Sequence, residues 1–438
     1  MVRSVARVRL GRCLWVAAVL VLFASSPVAG DGEGSGDERR EMRPVLDRER
    51  INNNDWTVLL RLQLRGVRDI FRDIRENDFV SDGRIDIEGG VLVLPVASDS
   101  AYADVLGGGD VAGKIELSGL GRGRFARGVR VRGGYQAGQR LEAFDIDALD
   151  ESTALVAEAE FSIASYETDI DEARARRIGW PEAWPEDAAV RTALLPQLFV
   201  ESDDEKVVEF VEAVTKGDPR RVRPYVLAKF LAKSVLDRYE LMTQRTDIVR
   251  GRQYGRVGGG RSEGFLVRGA AAALRNGGGS PYDLSNLLCA VYRAAGLPAR
   301  VVIGLDQRSA TEPERPEVIS WVEFYLAHPG TGTGEWIPVD IVRQREFSSR
   351  APGIDRKWEY FGKNDDADFY CPVSFHWHPP TAVANAGPPA LWGWTVETES
   401  GGLPAVLQRV SIFATATPVD PNDREAVRER NRRKRSGG

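Results

Sequence analysis

The stretch Gly277–Arg300, GGGSPYDLSNLLCAVYRAAGLPAR, constrains the chain more than any other. Ser280 offers an N-cap oxygen, Pro281 stands at a first helical position where a missing N–H costs nothing, and Asp283 fills the acidic place of a capping box. Leu284, Leu287, Leu288 and Val291 then recur at three- and four-residue intervals, which predicts one buried helix face. Gly296 and Pro298 stop the helix, and the β-branched run Val301-Val302-Ile303 predicts a buried strand immediately after it.

This stretch resembles the nucleophile helix of the transglutaminase-like superfamily, whose pattern is roughly G-x-C-x-D-x-A-x-L followed by R-A-x-G-[IL]-P-A-R. Gly279, Asp283, Ser285, Leu287, Arg293, Ala294, Gly296, Leu297, Pro298, Ala299 and Arg300 fit it. The family block H-A-W-V-E-V-Y resembles Ile319-Ser320-Trp321-Val322-Glu323-Phe324-Tyr325, and W-V-P-V-D resembles Trp336-Ile337-Pro338-Val339-Asp340. The resemblance implies an α+β fold, with helices packed on the antiparallel sheet of a papain-like core. It also implies a catalytic triad at three positions, held here by Pro281, Ile319 and Asp340.

Two of those three residues cannot do the family's chemistry. A cysteine at a helix N-terminus gains nucleophilicity because the dipole and free N–H groups stabilise its thiolate, whereas Pro281 has no nucleophilic atom. Acyl transfer also needs an imidazole to take and return a proton, and Ile319 can do neither. Triad members act as a unit, so Asp340 alone is expected to be a structural hydrogen-bond acceptor. The resulting expectation is a non-catalytic protein, without a cofactor, whose former cleft binds a peptide, a protein or a cell-wall polymer. Ser280, Asp283, Trp321 and Trp336 are its candidate binding residues, although capping explains Ser280 and core packing suits both tryptophans. The alternative is an acyltransferase, amidase or peptidase with a displaced nucleophile or a metal.

For a displaced nucleophile the chain offers Ser280, Cys289 and Cys371. Cys289 lies eight residues down the helix from Pro281, about 12 Å along the axis, so it cannot simply replace the family cysteine. For a metal, His376 and His378 have the i, i+2 spacing that puts both rings on one face of a strand. They would need a third ligand from Asp340, Asp365, Asp366, Asp368 or His328. The glycine runs 258–260 and 277–279 lack the Gly-Lys-Ser/Thr of a phosphate loop, which argues against nucleotide.

The remaining organisation is read from composition and periodicity. Residues 1–30, with Arg3, Arg7, Arg9 and Arg12 ahead of an apolar run and cleavage expected after Ala29 or Gly30, read as a signal peptide, with an uncleaved anchor as the competing reading. No later stretch is long and apolar enough to span a bilayer. Charged, glycine-rich residues 31–50 read as a flexible linker. Alternating runs over 51–170 predict a β-rich N-terminal domain, with a sandwich as the candidate arrangement. A connector at 171–200, the transglutaminase-like core at 201–350, an aromatic-rich C-terminal extension at 351–417 and a charged tail at 418–438 complete the chain. With a net charge of −5, no overall basic field argues for nucleic acid.

Overall fold

The computed structural model describes residues 44–67, 83–132, 137–241, 252–255, 260–308, 316–328, 330–378, 388–398 and 405–419. The signal-peptide segment 1–30, most of the linker and nearly all of the charged tail lie outside the described residues.

Long antiparallel strands build the N-terminal half: β1 (Leu46–Gly66), β2 (Ile85–Ile87), β3 (Gly89–Pro95), β4 (Ala103–Val105), β5 (Ala112–Arg132) and β6 (Gln139–Ile170). Period-two patterning explains β1, where Trp56, Val58, Leu60, Leu62 and Leu64 are buried while Thr57, Arg61 and Arg65 are exposed. The linker reading fails at its end, because β1 begins at Leu46 and pairs there with Ile170. Its first backbone N–H groups are also occupied, with Val45 and Leu46 both donating to the Glu335 carboxylate at 2.9 Å.

Helices follow. They are α1 (Glu172–Ala175), α2 (Ala188–Thr192), α3 (Glu205–Thr215) and α4 (Pro224–Arg238). A two-residue strand β7 (Glu240–Leu241) and a hairpin of β8 (Arg252–Gly255) and β9 (Ser262–Phe265) precede α5 (Ala270–Asn276). The hairpin occupies ground that glycine content alone suggests is loop.

After β10 (Gly278–Gly279) comes the central helix α6 (Pro281–Ala294), with both halves of its capping box formed. It is followed by β11 (Ala299–Asp306), β12 (Glu317–Ala327), β13 (Gly334–Val339), α7 (Ile341–Phe347) and β14 (Tyr370–Ser374). These four strands form an antiparallel sheet in the order β13-β12-β11-β14. Alternation gives the sheet two buried faces. Val301, Ile303, Val322 and Phe324 belong to the main core with α6, whereas Val302 and Trp321 pack with Tyr102 from the N-terminal half. An α+β architecture of helices on an antiparallel sheet results.

The C-terminal extension continues the N-terminal sheet. Its strands β15 (Gly393–Glu397) and β16 (Val406–Pro418) join the N-terminal sheet, whose path is β15-β3-β6-β1-β16 with β2, β4 and β5 also on β6. The described strands of the N-terminal half and these two are thus hydrogen-bonded into one sheet. Gln408 on β16 then fastens this sheet to the β9 hairpin, accepting from Ser262 Oγ at 3.0 Å and from Trp394 Nε1 at 2.8 Å while donating to the Glu263 carbonyl at 2.9 Å.

Gly304 on β11 makes room for this packing. A Cβ there would lie 2.6 Å from the Trp321 ring and 2.8 Å from the Cys371 carbonyl oxygen. Because one obstacle is backbone and the other a fully buried indole, Gly304→Ala is expected to destabilise the fold by about 1–3 kcal/mol. A lowered urea midpoint at unchanged m-value would register it.

Candidate functional site

The first residue of α6, the start of β12 and the end of β13 converge on one cavity of about 580 Å3. Pro281, Ile319 and Asp340 all line it. Tyr282 sets the spacing of two of these walls, since its hydroxyl donates to the Val318 carbonyl at 3.0 Å and so fixes the helix start against the strand. The third wall comes from elsewhere in the sequence. Residues 407–413 of β16 line the cavity, so the sheet of the N-terminal half forms one side of it. Phe265, Tyr282 and Trp392 supply an aromatic floor, with Phe265 5.6 Å from Tyr282 and 5.7 Å from Trp392 between ring centroids.

Asp340 is an N-cap. Its Oδ1 accepts from the Arg343 backbone N–H at 3.0 Å, and its Oδ2 accepts from the Tyr370 hydroxyl at 3.0 Å. Burial raises its pKa to about 6, against the lowering effect of those hydrogen bonds and of the Arg343 charge. A carboxyl whose folded pKa is raised contributes stability below the unfolded value of about 3.9, and that contribution is lost as pH rises through about 6. The loss amounts to roughly 3 kcal/mol at neutral pH. Asp368 is also raised to about 6 by burial, so the wild-type profile contains both groups. Asp340→Asn is expected to show a smaller fall in urea midpoint between pH 5 and pH 8 than the wild type, and an unchanged fall would mean that Asp340 does not titrate there.

Of the proposed binding residues, none lines the cavity. Ser280 and Asp283 are consumed by the cap: Ser280 Oγ accepts from Asp283 N at 3.2 Å, and Asp283 Oδ2 accepts from Ser280 N at 3.1 Å. Asp283 Oδ1 takes two further N–H groups, from Arg268 at 2.7 Å and Gly269 at 3.0 Å, which accounts for a carboxylate buried at a helix start. Trp321 is packed among other rings, 5.3 Å from Tyr102 and 5.6 Å from Tyr370. Trp336 packs on Tyr325 at 5.2 Å and under the Arg300 guanidinium at 4.3 Å. Both tryptophans are engaged in aromatic packing, the role that core packing had offered them beside the cleft.

The displaced nucleophiles fare no better. Cys289 and Cys371 are free and fully buried, and burial pushes both thiols up, away from thiolate at neutral pH. His376 and His378 do meet, with ring centroids 4.7 Å apart, although they lie beyond the end of β14 and not within it. Among the described residues no three His, Cys, Asp or Glu side chains are grouped to hold a metal. The would-be third ligands are engaged otherwise: Asp365 with Lys363, Asp366 with Arg308, Asp368 with Asn54, and His328 with Glu335.

Two motif residues do a job that spacing does not announce. Arg300 and Glu323 stand directly opposite each other on β11 and β12. Glu323 is fully buried; its Oε2 accepts from Arg300 Nε at 2.9 Å and Nη2 at 2.7 Å, and its Oε1 accepts from Ala101 N at 2.9 Å. An ion pair thus ties the core sheet to the loop before β4. The signal was available as opposite charges in two motif blocks, but only the strand register pairs them.

Comparison with known proteins places residues 242–341 on the family profile described as "Transglutaminase-like superfamily". Among solved structures, a candidate cysteine protease from Cytophaga hutchinsonii aligns at 11% identity over 86% of this chain and 97% of its own, with a TM-score of 0.47. The periplasmic domain of TgpA from Pseudomonas aeruginosa aligns at 12% identity over 65% of this chain and 90% of its own, with a TM-score of 0.25. No curated protein matches the chain.

Proposed function

We propose that the chain, whose residues 242–341 match the transglutaminase-like superfamily, is a non-catalytic member whose former active-site cavity serves as a binding site. One observation carries this reading. The three triad positions still line a single cavity, but proline and isoleucine occupy two of them, and no described cysteine or histidine lines it. The ligand class is a peptide, a protein segment or a peptide-bearing wall polymer. Export, inferred from the Arg-flanked apolar run of residues 1–30, would put the protein where such polymers are found.

Two measurements test the proposal together. Alkylation of the native chain at neutral pH, read by mass spectrometry, is expected to label Cys289 and Cys371 at less than a tenth of the rate in the denatured chain. Fast labelling of either would favour an enzyme with a displaced nucleophile. Peptides and wall digests should be retained by the wild type and released by Ile319→Arg, which drives a long charged side chain into the cavity. Turnover of any retained peptide would overturn the non-catalytic reading.

A further inference from the structure

The cavity wall made by β16 is a sheet edge. In the path β15-β3-β6-β1-β16 this strand comes last, with β1 on one side only. The direction of its backbone groups follows from the contacts it makes away from β1. Val406 C=O accepts from Arg261 N, Gln408 N donates to Arg261 C=O, Val410 N reaches the Glu263 carboxylate at 3.4 Å, and Ala416 N donates to Gln307 Oε1 at 3.0 Å. All four are even-numbered, so the even residues point their N–H and C=O groups outward while the odd residues hold the ladder to β1. Between the two anchored ends, the outward C=O of Val410 and both outward groups of Ile412 have no hydrogen-bond partner among the described residues.

The residues that carry these groups are half-buried and line the cavity. A long edge elsewhere in the molecule is treated differently: β5, which pairs only with β6, exposes Arg122, Arg124, Arg127 and Arg130 along its length. Charged side chains on an edge are a common guard against strand addition. On the lining part of β16 the one charged residue is Arg409, which shares the solvent face with Gln63 across the ladder, while Val410 and Ile412 face the core with Leu62 and Leu60.

We propose that the occupant of the cavity is an extended peptide segment of a partner protein, added as a strand to the free edge of β16 at Val410–Ile412. The inference rests on the cavity's being a binding site, as argued above, and specifies how it binds. Alternate outward donors and acceptors repeat every two residues, about 6.6 Å, and an extended polypeptide backbone matches that repeat. Such a segment would direct alternate side chains inward, to the core side where Phe265 and Tyr282 lie, and outward, beside Arg409.

The probes are linear heptapeptides selected from a random display library on the full chain, then synthesised with capped ends and with N-methyl groups at alternate residues. One alternating set of N-methylations is expected to weaken binding at least tenfold, and the other set to leave it within about threefold, because only every second N–H of an added strand faces the edge. Ile412→Pro should weaken binding by a similar factor while keeping the fold, since it removes an outward donor and no bond to β1. If that variant unfolds, the N-methyl series still decides. Binding that is lost in Ile319→Arg but indifferent to which set is methylated would overturn the edge pairing and leave the cavity reading standing. If no peptide is selected, or if selected peptides bind Ile319→Arg as well as wild type, both fail.

Discussion

Glu323→Ala is expected to cost about 3–5 kcal/mol of folding stability, because it removes one partner of a buried ion pair and strands the other. The magnitude follows from what is left behind. Arg300 keeps its charge with its side chain almost wholly out of water, and Ala101 loses the acceptor of its backbone N–H. Cation–aromatic contacts with Trp336 at 4.3 Å and Phe375 at 4.1 Å hold the guanidinium in place, so it cannot easily swing out to be hydrated. Glu323→Gln keeps an acceptor for Ala101 and should lose less than the alanine variant. A double variant, Arg300→Met with Glu323→Leu, leaves no unpaired charge and should recover much of the loss. Urea denaturation of the four proteins ranks these costs; a Glu323→Ala cost below about 1 kcal/mol would mean that the pair is hydrated and does not join the two halves of the molecule.

That pair shows where sequence reading succeeds and where it stops. Helix α6 was legible down to its cap, because Ser280, Pro281 and Asp283 act on N–H groups within one turn of themselves. The triad positions came from the family resemblance, and the three residues it names line one cavity. Strand lengths were not legible: glycine and aspartate interrupt the alternation at Gly119 and Asp150, while the ladder of β5 and β6 passes those points with only a shift of register. Trp321 and Trp336 were candidates for the cleft and for core packing alike, because a motif names residues and not the rings they meet; each lies against other aromatic rings. The contribution of β16 had no local signal at all. Its position beside Pro281 and Ile319 is a consequence of strand order in a sheet whose members other than β15 lie more than two hundred residues earlier.

Pro281→Cys combined with Ile319→His is expected to restore an activated thiol, and it separates lost residues from lost geometry. The new sulfur would sit on the first residue of α6, where the helix dipole and first-turn N–H groups favour the thiolate. Lowering a thiol pKa from about 8.5 to about 7 raises the thiolate fraction at pH 7 from about 3% to about 50%; after the lower nucleophilicity of a less basic thiolate, Pro281→Cys alone should alkylate roughly three times faster than an unperturbed cysteine. The imidazole at 319 would be held near it by the same Tyr282–Val318 hydrogen bond that now sets the two walls, 3.0 Å long. Asp340 lines the same cavity, and as a carboxylate it has acceptor sites beyond those used by Arg343 and Tyr370. With its pKa near 6, the support it gives an imidazolium should fade below that pH, so the extra acceleration of the double variant over the single one should be present at pH 7.5 and reduced at pH 5.5. Acceleration in the single variant with none added by the histidine would place residue 319 out of reach of residue 281. No acceleration in either would show that the helix start no longer offers its dipole to the cavity, and that the family's chemistry was lost in the backbone as well as in two side chains.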